Sequence, residues 1–187
     1  LLALIDKTMQ EHPQGVLPRI GLCSWKDSSP SNLPCFGRRG VLHTITSDSE
    51  RVGRALAAHV AADVPAVLHL RAWQDIERAH EFRVFIRDGM VAGISQYHWR
   101  ETFQELVRDP EAVMGSLKQF LPSVLPEITG PDCVVDICLH PDTPFVIEVN
   151  PFIRATDGCL FSWNTSNSFD RTLRLRNGKN TLSLHPD

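Results

Sequence analysis

The sequence has a single tyrosine, five cysteines with no CxxC pair, and no GxxxxGK[ST] loop in its 187 residues. Each shortage excludes something. Without paired cysteines, and with no HExxH among eight histidines, neither a disulfide framework nor a zinc knuckle is expected. The thiols of Cys23, Cys35, Cys133, Cys138 and Cys159 therefore read as free. Lacking a P-loop, the chain cannot cradle nucleoside phosphates in the Walker manner, and the "GRRG" run at 37–40 is too short to replace one. No apolar run approaches the roughly 20 residues of a membrane span. The opening residues, "LLALIDKTMQ", acquire charge too soon for a secretory signal. Positive charge is scarce as well: 19 Lys and Arg against 22 Asp and Glu leave a net charge of -3, with no general pull on a nucleic-acid backbone. The expectation is a cytoplasmic protein with neither nucleic acid nor membrane as partner.

What is present fits one globular domain or two small lobes, since 42% of the residues are hydrophobic and 22% charged. The chain starts at Leu1 rather than at methionine, so a segment upstream is expected to be missing, and Leu2, Ile5 and Met9 have helical spacing. Residues 15–40, rich in Pro, Gly and Ser, read as loops and short strands. The S-x-x-E pattern from Ser47 to Glu50 predicts a helix over about 48–61, with Val52, Leu56 and Val60 as its apolar stripe. "PAVLHLRAW" predicts a strand ending near Arg71. In "EFRVFIRDGMVAGISQ" the Asp88-Gly89 pair predicts a tight hairpin, which sets Arg83 opposite Ile94 and Glu81 opposite Gln96. Glu81, Arg83 and Gln96 would then share a face.

Asp109-Pro110-Glu111 supplies a cap, a first-turn proline and an acid for a helix whose stripe is Val113, Leu117, Phe120, Leu121 and Val124. "CVVDICL" and "FVIEVN" read as strands around the turn from His140 to Pro144, and Asn177-Gly178 centres a terminal hairpin. Helices mixed with antiparallel hairpins give an α+β fold.

One consequence of the second hairpin is electrostatic. A five-residue turn places Asp136 opposite Glu148, with Asn150 on the same face. Carboxylates opposed across a sheet repel unless a positive group lies between them. Oxygen ligands with no His or Cys suit a hard ion, and so few of them suit magnesium, with phosphate oxygens completing the shell. Alternating polar residues also describe the solvated face of an edge hairpin. Trp73 reads equally as core packing, Arg71 as a partner for a nearby acid, Lys26 as a solvated cation and Gln96 as a strand end.

Five segments in order, "PRIGLCSWKDS", "LHLRAW", "EFRVFIRDGMVAGISQ", "VVDICL" and "FVIEVNPF" with "ATDGCLFSW", resemble the cell division cycle protein 123 family, a branch of the ATP-grasp superfamily. The resemblance covers about residues 15–163. It implies an ATP-grasp-like fold, two lobes of antiparallel sheet and helices around a nucleotide cleft, with 1–70 as a partial first lobe and 71–187 as the second. By correspondence it implies ATP contacts from Arg19, Lys26, Arg71, Trp73, Glu81, Arg83 and Gln96, and magnesium held by Asp136, Glu148 and Asn150. Trp25 stands where eukaryotic members typically carry proline, and Glu148 where they often carry aspartate. Two functions follow from the resemblance and stay open. One is an ATP-binding chaperone-like factor that helps assemble translation initiation factor 2 through its gamma subunit. The other is a carboxylate–amine or carboxylate–thiol ligase working through an acyl phosphate, which needs no nucleophile from the protein.

Overall fold

The computed structural model describes residues 2–28, 33–128, 130–140, 142–165 and 167–186. They divide into two units, Leu1–Asp75 and Ile76–Asp187. Residues 29–32 of the Pro/Gly/Ser-rich stretch and residue 141 of the expected His140–Pro144 turn fall outside the described residues.

The first unit runs α1 (Leu2–Glu11), β1 (Val16–Ile20), β2 (Cys23–Ser24), α2 (Gly37–Ile45), α3 (Glu50–Ala61) and β3 (Leu68–Ala72). Its antiparallel sheet has the order β2-β1-β3. Alternate residues of β1 turn inward: Val16 packs with Ile5, Cys35 and Val41, and Ile20 with Trp25 and Val52. Two expectations are corrected here. The "GRRG" run is the first turn of α2, not loop. The cap of α3 is Ser49 rather than Ser47: its Oγ accepts from Val52 N at 3.2 Å and donates to Asp27 Oδ1 at 2.6 Å. Ser49 and the Arg51 N–H, both donating to Asp27, hold its carboxyl below the usual carboxylate range. The α3 stripe is correspondingly short. Val52 is buried, but Leu56 and Val60 are exposed.

The second unit contains β4 (Glu81–Arg87), β5 (Met90–Gln96), α4 (Gln104–Arg108), α5 (Pro110–Val124), β6 (Cys133–Cys138), β7 (Phe145–Pro151), β8 (Leu173–Asn177) and β9 (Asn180–Leu184). Its six strands lie in the order β7-β6-β4-β5-β8-β9, antiparallel except for the β5–β8 pair. The α5 helix starts where its sequence signals place it, with Asp109 Oδ1 accepting from Ala112 N at 3.0 Å. It lays Met114, Leu117 and Leu121 on one face of the sheet, against Phe82, Val84, Ile94, Val135, Ile137, Leu173 and Leu175. The opposite face is part aromatic and part polar. Phe85 and Val134 are covered there by Phe161, with Phe152, Trp163 and Phe169 packed around them. A Cβ added to Gly93 would lie 2.5 Å from the Phe161 ring, so the close approach requires glycine.

Candidate functional site

Strand register decides which side chains meet, and two hairpins of the second unit, β4–β5 and β6–β7, carry an irregularity that the sequence pattern conceals. In the β4–β5 hairpin, Asp88 (φ 52) and Gly89 (φ 73) form the expected tight turn and Arg87 pairs with Met90. Beyond it Ile86 pairs with Val91 but Phe85 with Gly93, leaving Ala92 as an extra residue, a β-bulge. Arg83 therefore lies opposite Ser95, not Ile94, and Gln96 lies opposite Phe82, not Glu81. This corrects the expectation that Gln96 shares the face of Glu81 and Arg83. Gln96 is buried on the helix side, donating through Nε2 to the carbonyls of His98 (2.9 Å) and Glu101 (2.8 Å) and accepting from Arg176 N at 2.7 Å.

The β6–β7 hairpin behaves differently. Its first pair is Cys138 with Phe145, one step from the alignment expected of a five-residue turn. Ile147 then bulges, and the register returns to Asp136 opposite Glu148 and Val134 opposite Asn150. The expected opposition of the two acids is thus present, reached by a different path.

Across the polar face one row of side chains runs Glu148, Asp136, Arg83, Ser95, Arg174, each opposite the next. Arg83 and Asp136 form a two-pronged pair at the centre, Nε to Oδ1 at 2.7 Å and Nη2 to Oδ2 at 2.8 Å. Both are buried. The third prong, Nη1, donates to the Asp157 carbonyl at 2.8 Å, and the guanidinium lies 4.8 Å from the Tyr97 ring centroid. A positive group thus already sits beside Asp136, so the opposition of the two acids does not by itself call for a bound ion. Asn150 Nδ2 also donates to Asp136 Oδ2 at 3.2 Å and to Glu148 Oε1 at 3.4 Å, tying both acids together.

Burial pushes the Asp136 carboxyl up to about 6; the Arg83 hydrogen bonds and charge pull against it, while Glu148 and Glu81 push the same way as burial. For Arg83, burial works to lower the pKa, but the bonds and charge of Asp136 outweigh it and hold the guanidinium above its ordinary value. Burial also pushes Tyr97 and Cys159 to about 12, so both stay protonated. Glu81 lies one row away and accepts from His98 Nε2 at 2.9 Å. Because an arginine only donates, the 3.1 Å contact of Arg78 Nη2 with His98 Nδ1 makes that nitrogen the acceptor and leaves the proton on Nε2.

Magnesium is the ion that this all-oxygen donor set implies. Among the described residues no group of three or more His, Cys, Asp and Glu could enclose a metal, so a cage made only of protein is absent. Magnesium does not require one, since it commonly takes one or two carboxylates and completes its octahedron with phosphate and water. Glu148 and Asn150, both half-buried on the edge strand β7, with Asp136 beside them, fit that mode once the Asn150 amide turns its oxygen outward.

In the first unit Arg19 pairs with His69 and Leu17 with Arg71, so Arg19, His69 and Arg71 line the outer face of β1 and β3 around an open cavity of about 530 Å³. Arg19 is buried and donates to the Leu22 carbonyl at 2.6 Å. Lys26 is exposed, and Trp73, whose backbone N–H donates to the Gly15 carbonyl at 3.0 Å, is half-buried. Sequence reasoning had singled out neither Tyr97 nor the His98–Glu81 contact. No sequence signal marks them, because the bulge at Ala92 sets where β5 ends relative to β4.

Comparison with known proteins finds relatives that match most of the chain. The D123 family matches residues 41–180. The translation initiation factor eIF2 assembly protein of Candida albicans is 27% identical over 176 residues, 85% of this chain and 51% of the relative. Its namesake in Schizosaccharomyces pombe is 26% identical over 186 residues, 90% of this chain and 57% of the relative. The chain therefore spans little more than half the length of these curated relatives. A solved structure of Cdc123 from S. pombe superposes with a TM-score of 0.74 at 25% identity, covering 87% of this chain and 70% of that one.

Proposed function

The chain belongs to the D123 family, and on that premise we propose that it is a cytoplasmic assembly factor for translation initiation factor 2, acting as an ATP- and magnesium-binding platform of ATP-grasp type. The observation that carries the reading is the buried Arg83–Asp136 pair with Glu148 and Asn150 beside it on an edge strand. A pair so deeply buried is a poor source of stability, because desolvating two charges costs about as much as their attraction returns. Its presence is explained if Arg83 and the acids serve a charged ligand.

In this reading Glu148, Asn150 and an Asp136 oxygen would hold magnesium, which supplies neutralising charge to phosphate oxygens. Asp136 fixes the Arg83 guanidinium in place, so that little reorganisation is needed when a phosphate approaches. Glu81, oriented by His98, borders the nucleotide. In the first unit Arg19 is assigned to the phosphates, Lys26 to the basic position of the segment that follows it, and Arg71 and Trp73 to the connection along which the adenine lies, all by family correspondence. Gln96 keeps a structural role in ending β5. The partner, by analogy with the names of the relatives, is a subunit of initiation factor 2, with the gamma subunit proposed.

Calorimetric titration with ATP, with and without magnesium, tests the site. Glu148→Gln should lower the magnesium-dependent affinity tenfold or more while leaving the unfolding midpoint in place. Equal affinity in variant and parent would refute the metal assignment. Following ADP release with candidate carboxylates and amines separates the alternatives: a platform binds ATP without acid-dependent turnover, whereas turnover would make the chain a ligase.

A further inference from the structure

A guanidinium carries five N–H groups. Asp136 accepts from Nε and Nη2 of Arg83, and the carbonyl of Asp157 accepts from Nη1 at 2.8 Å. These oxygens leave one N–H on each Nη unused, beside a cavity of about 290 Å³ that Arg83 lines with Tyr97, Trp99, Asp157 and Cys159. Donors so paired are what grips a phosphate or a carboxylate. Asp136 alone leaves the guanidinium free to tilt out of the plane the two groups share, so its direction also depends on the loop after β7 that carries Asp157.

The Asp157 side chain braces that loop from within. Its Oδ1 accepts from Cys159 N at 2.9 Å, closing a tight turn, and its Oδ2 accepts from Trp99 Nε1 at 3.3 Å, tying the turn to the segment after β5. The backbone here is not relaxed. Cys159 has φ 53, a left-handed conformation unfavourable for a residue with a side chain, and a Cβ added to Gly158 would lie 2.6 Å from the Phe161 carbonyl oxygen. Such a conformation persists only where its surroundings over-determine it. The Asp157 carboxylate supplies two of the bonds that do so, although Asp157 itself is exposed.

We propose that Asp157 is a positioning residue for the phosphate site: its carboxylate locks the turn over 157–159, and the carbonyl held there directs the free N–H groups of Arg83 into the cavity. This role rests on the phosphate-binding reading of Arg83, but the hold on Arg83 can be measured without ATP. It also has an unusual sign. A carboxylate acting on a phosphate through its charge alone repels it, so removing that charge would raise affinity. Positioning predicts a fall.

The test uses the full chain, with hydrogen exchange of the Arg83 Nε–H followed by nitrogen-15 NMR and magnesium-ATP affinity followed by calorimetry. Asp157→Ala should speed the exchange several-fold and lower the affinity about three- to tenfold, the net worth of roughly one hydrogen bond, while the unfolding midpoint stays close to the parent's because the lost group is exposed. Asp157→Asn removes the same charge but keeps an oxygen for Cys159 N, and should show a smaller change in both. Trp99→Phe keeps a ring between Arg100 and Arg176 but removes the donor to Oδ2, and should change the exchange in the same direction. Arg83 exchange unchanged in Asp157→Ala, or affinity raised equally in Asp157→Ala and Asp157→Asn, would overturn the proposal. A parent that binds no magnesium-ATP would instead sink the nucleotide reading, and the exchange rates would still decide whether Asp157 holds Arg83 in place.

Discussion

The two faces of the six-stranded sheet are built from alternate residues of the same strands, yet they are held together by opposite means. Under α5, Phe82, Val84, Val135 and Ile137 meet Leu117 and Leu121, and removal of apolar surface from water does the work. On the other side, Glu81, Arg83, Asp136 and Glu148 crowd four ionisable groups onto neighbouring strands, two of them buried. A sheet needing only to be stable would continue the aromatic packing of Phe85 and Phe161 across that face. The difference teaches that one face is held by apolar packing, while the other buries charge at a cost in desolvation, which the proposed ligand site would explain.

The largest effect that would break this comparison comes from splitting the ion pair. Asp136→Ala leaves the Arg83 guanidinium buried without its main partner, and should cost about 3–5 kcal/mol, read as a fall in the urea midpoint at pH 7. Replacing both, Arg83→Met with Asp136→Leu, should recover most of that loss, because two apolar groups of similar size need no solvation. The double variant should still bind ATP far more weakly than the parent. If it remained as unstable as the single variant, the pair would be a structural element, and the contrast between faces would fail.

A somewhat smaller effect is expected from the other face. Leu117 is fully buried, and Leu117→Ala should cost about 3 kcal/mol through lost transfer energy and the cavity left behind. Magnesium-dependent ATP affinity, measured well below the lowered melting temperature, should be unchanged. A tenfold loss of affinity in this variant would show that the two faces are coupled, and that packing under α5 sets the geometry of Arg83.

How much of this could be read from the sequence depended on whether a local signal was final or was overridden downstream. Asp109 and Pro110 fixed the start of α5 because capping acts within one turn, and Asp88-Gly89 fixed the β4–β5 turn for the same reason. Register further along a strand is not local. Ala92 displaced Gln96 from the face predicted for it, whereas Ile147 restored the Asp136–Glu148 opposition that a one-step error at the turn would have lost. The α2 helix was concealed because its glycines and arginines at 37–40 resemble a loop, while Val41 and Thr44 make its buried contacts only in the tertiary fold. The repeat Val52, Leu56, Val60 was real as a pattern, but only Val52 is covered within the described residues. Arg83 itself was visible as a cation on an apolar strand. That it would answer Asp136 directly required the β4–β6 pairing, which no spacing within either strand reveals.

The smallest expected effect sharpens the comparison through pH. Because Asp136 titrates near 6 in the fold against about 3.9 in an unfolded chain, the folded state takes up its proton at higher pH than the unfolded state. Its contribution to stability is then fully present below about pH 4 and is lost as pH rises through 6, with a slope of at most about 1.4 kcal/mol per pH unit. Urea midpoints measured between pH 4 and 7 in the parent and in Asp136→Asn separate this contribution from the rest of the carboxylates. The variant, whose side chain at this position stays neutral at every pH, should lack the downward slope, and Leu117→Ala should keep it. An upward slope assigned to Asp136 would mean that Arg83 outweighs burial, and that the pair stabilises the fold after all.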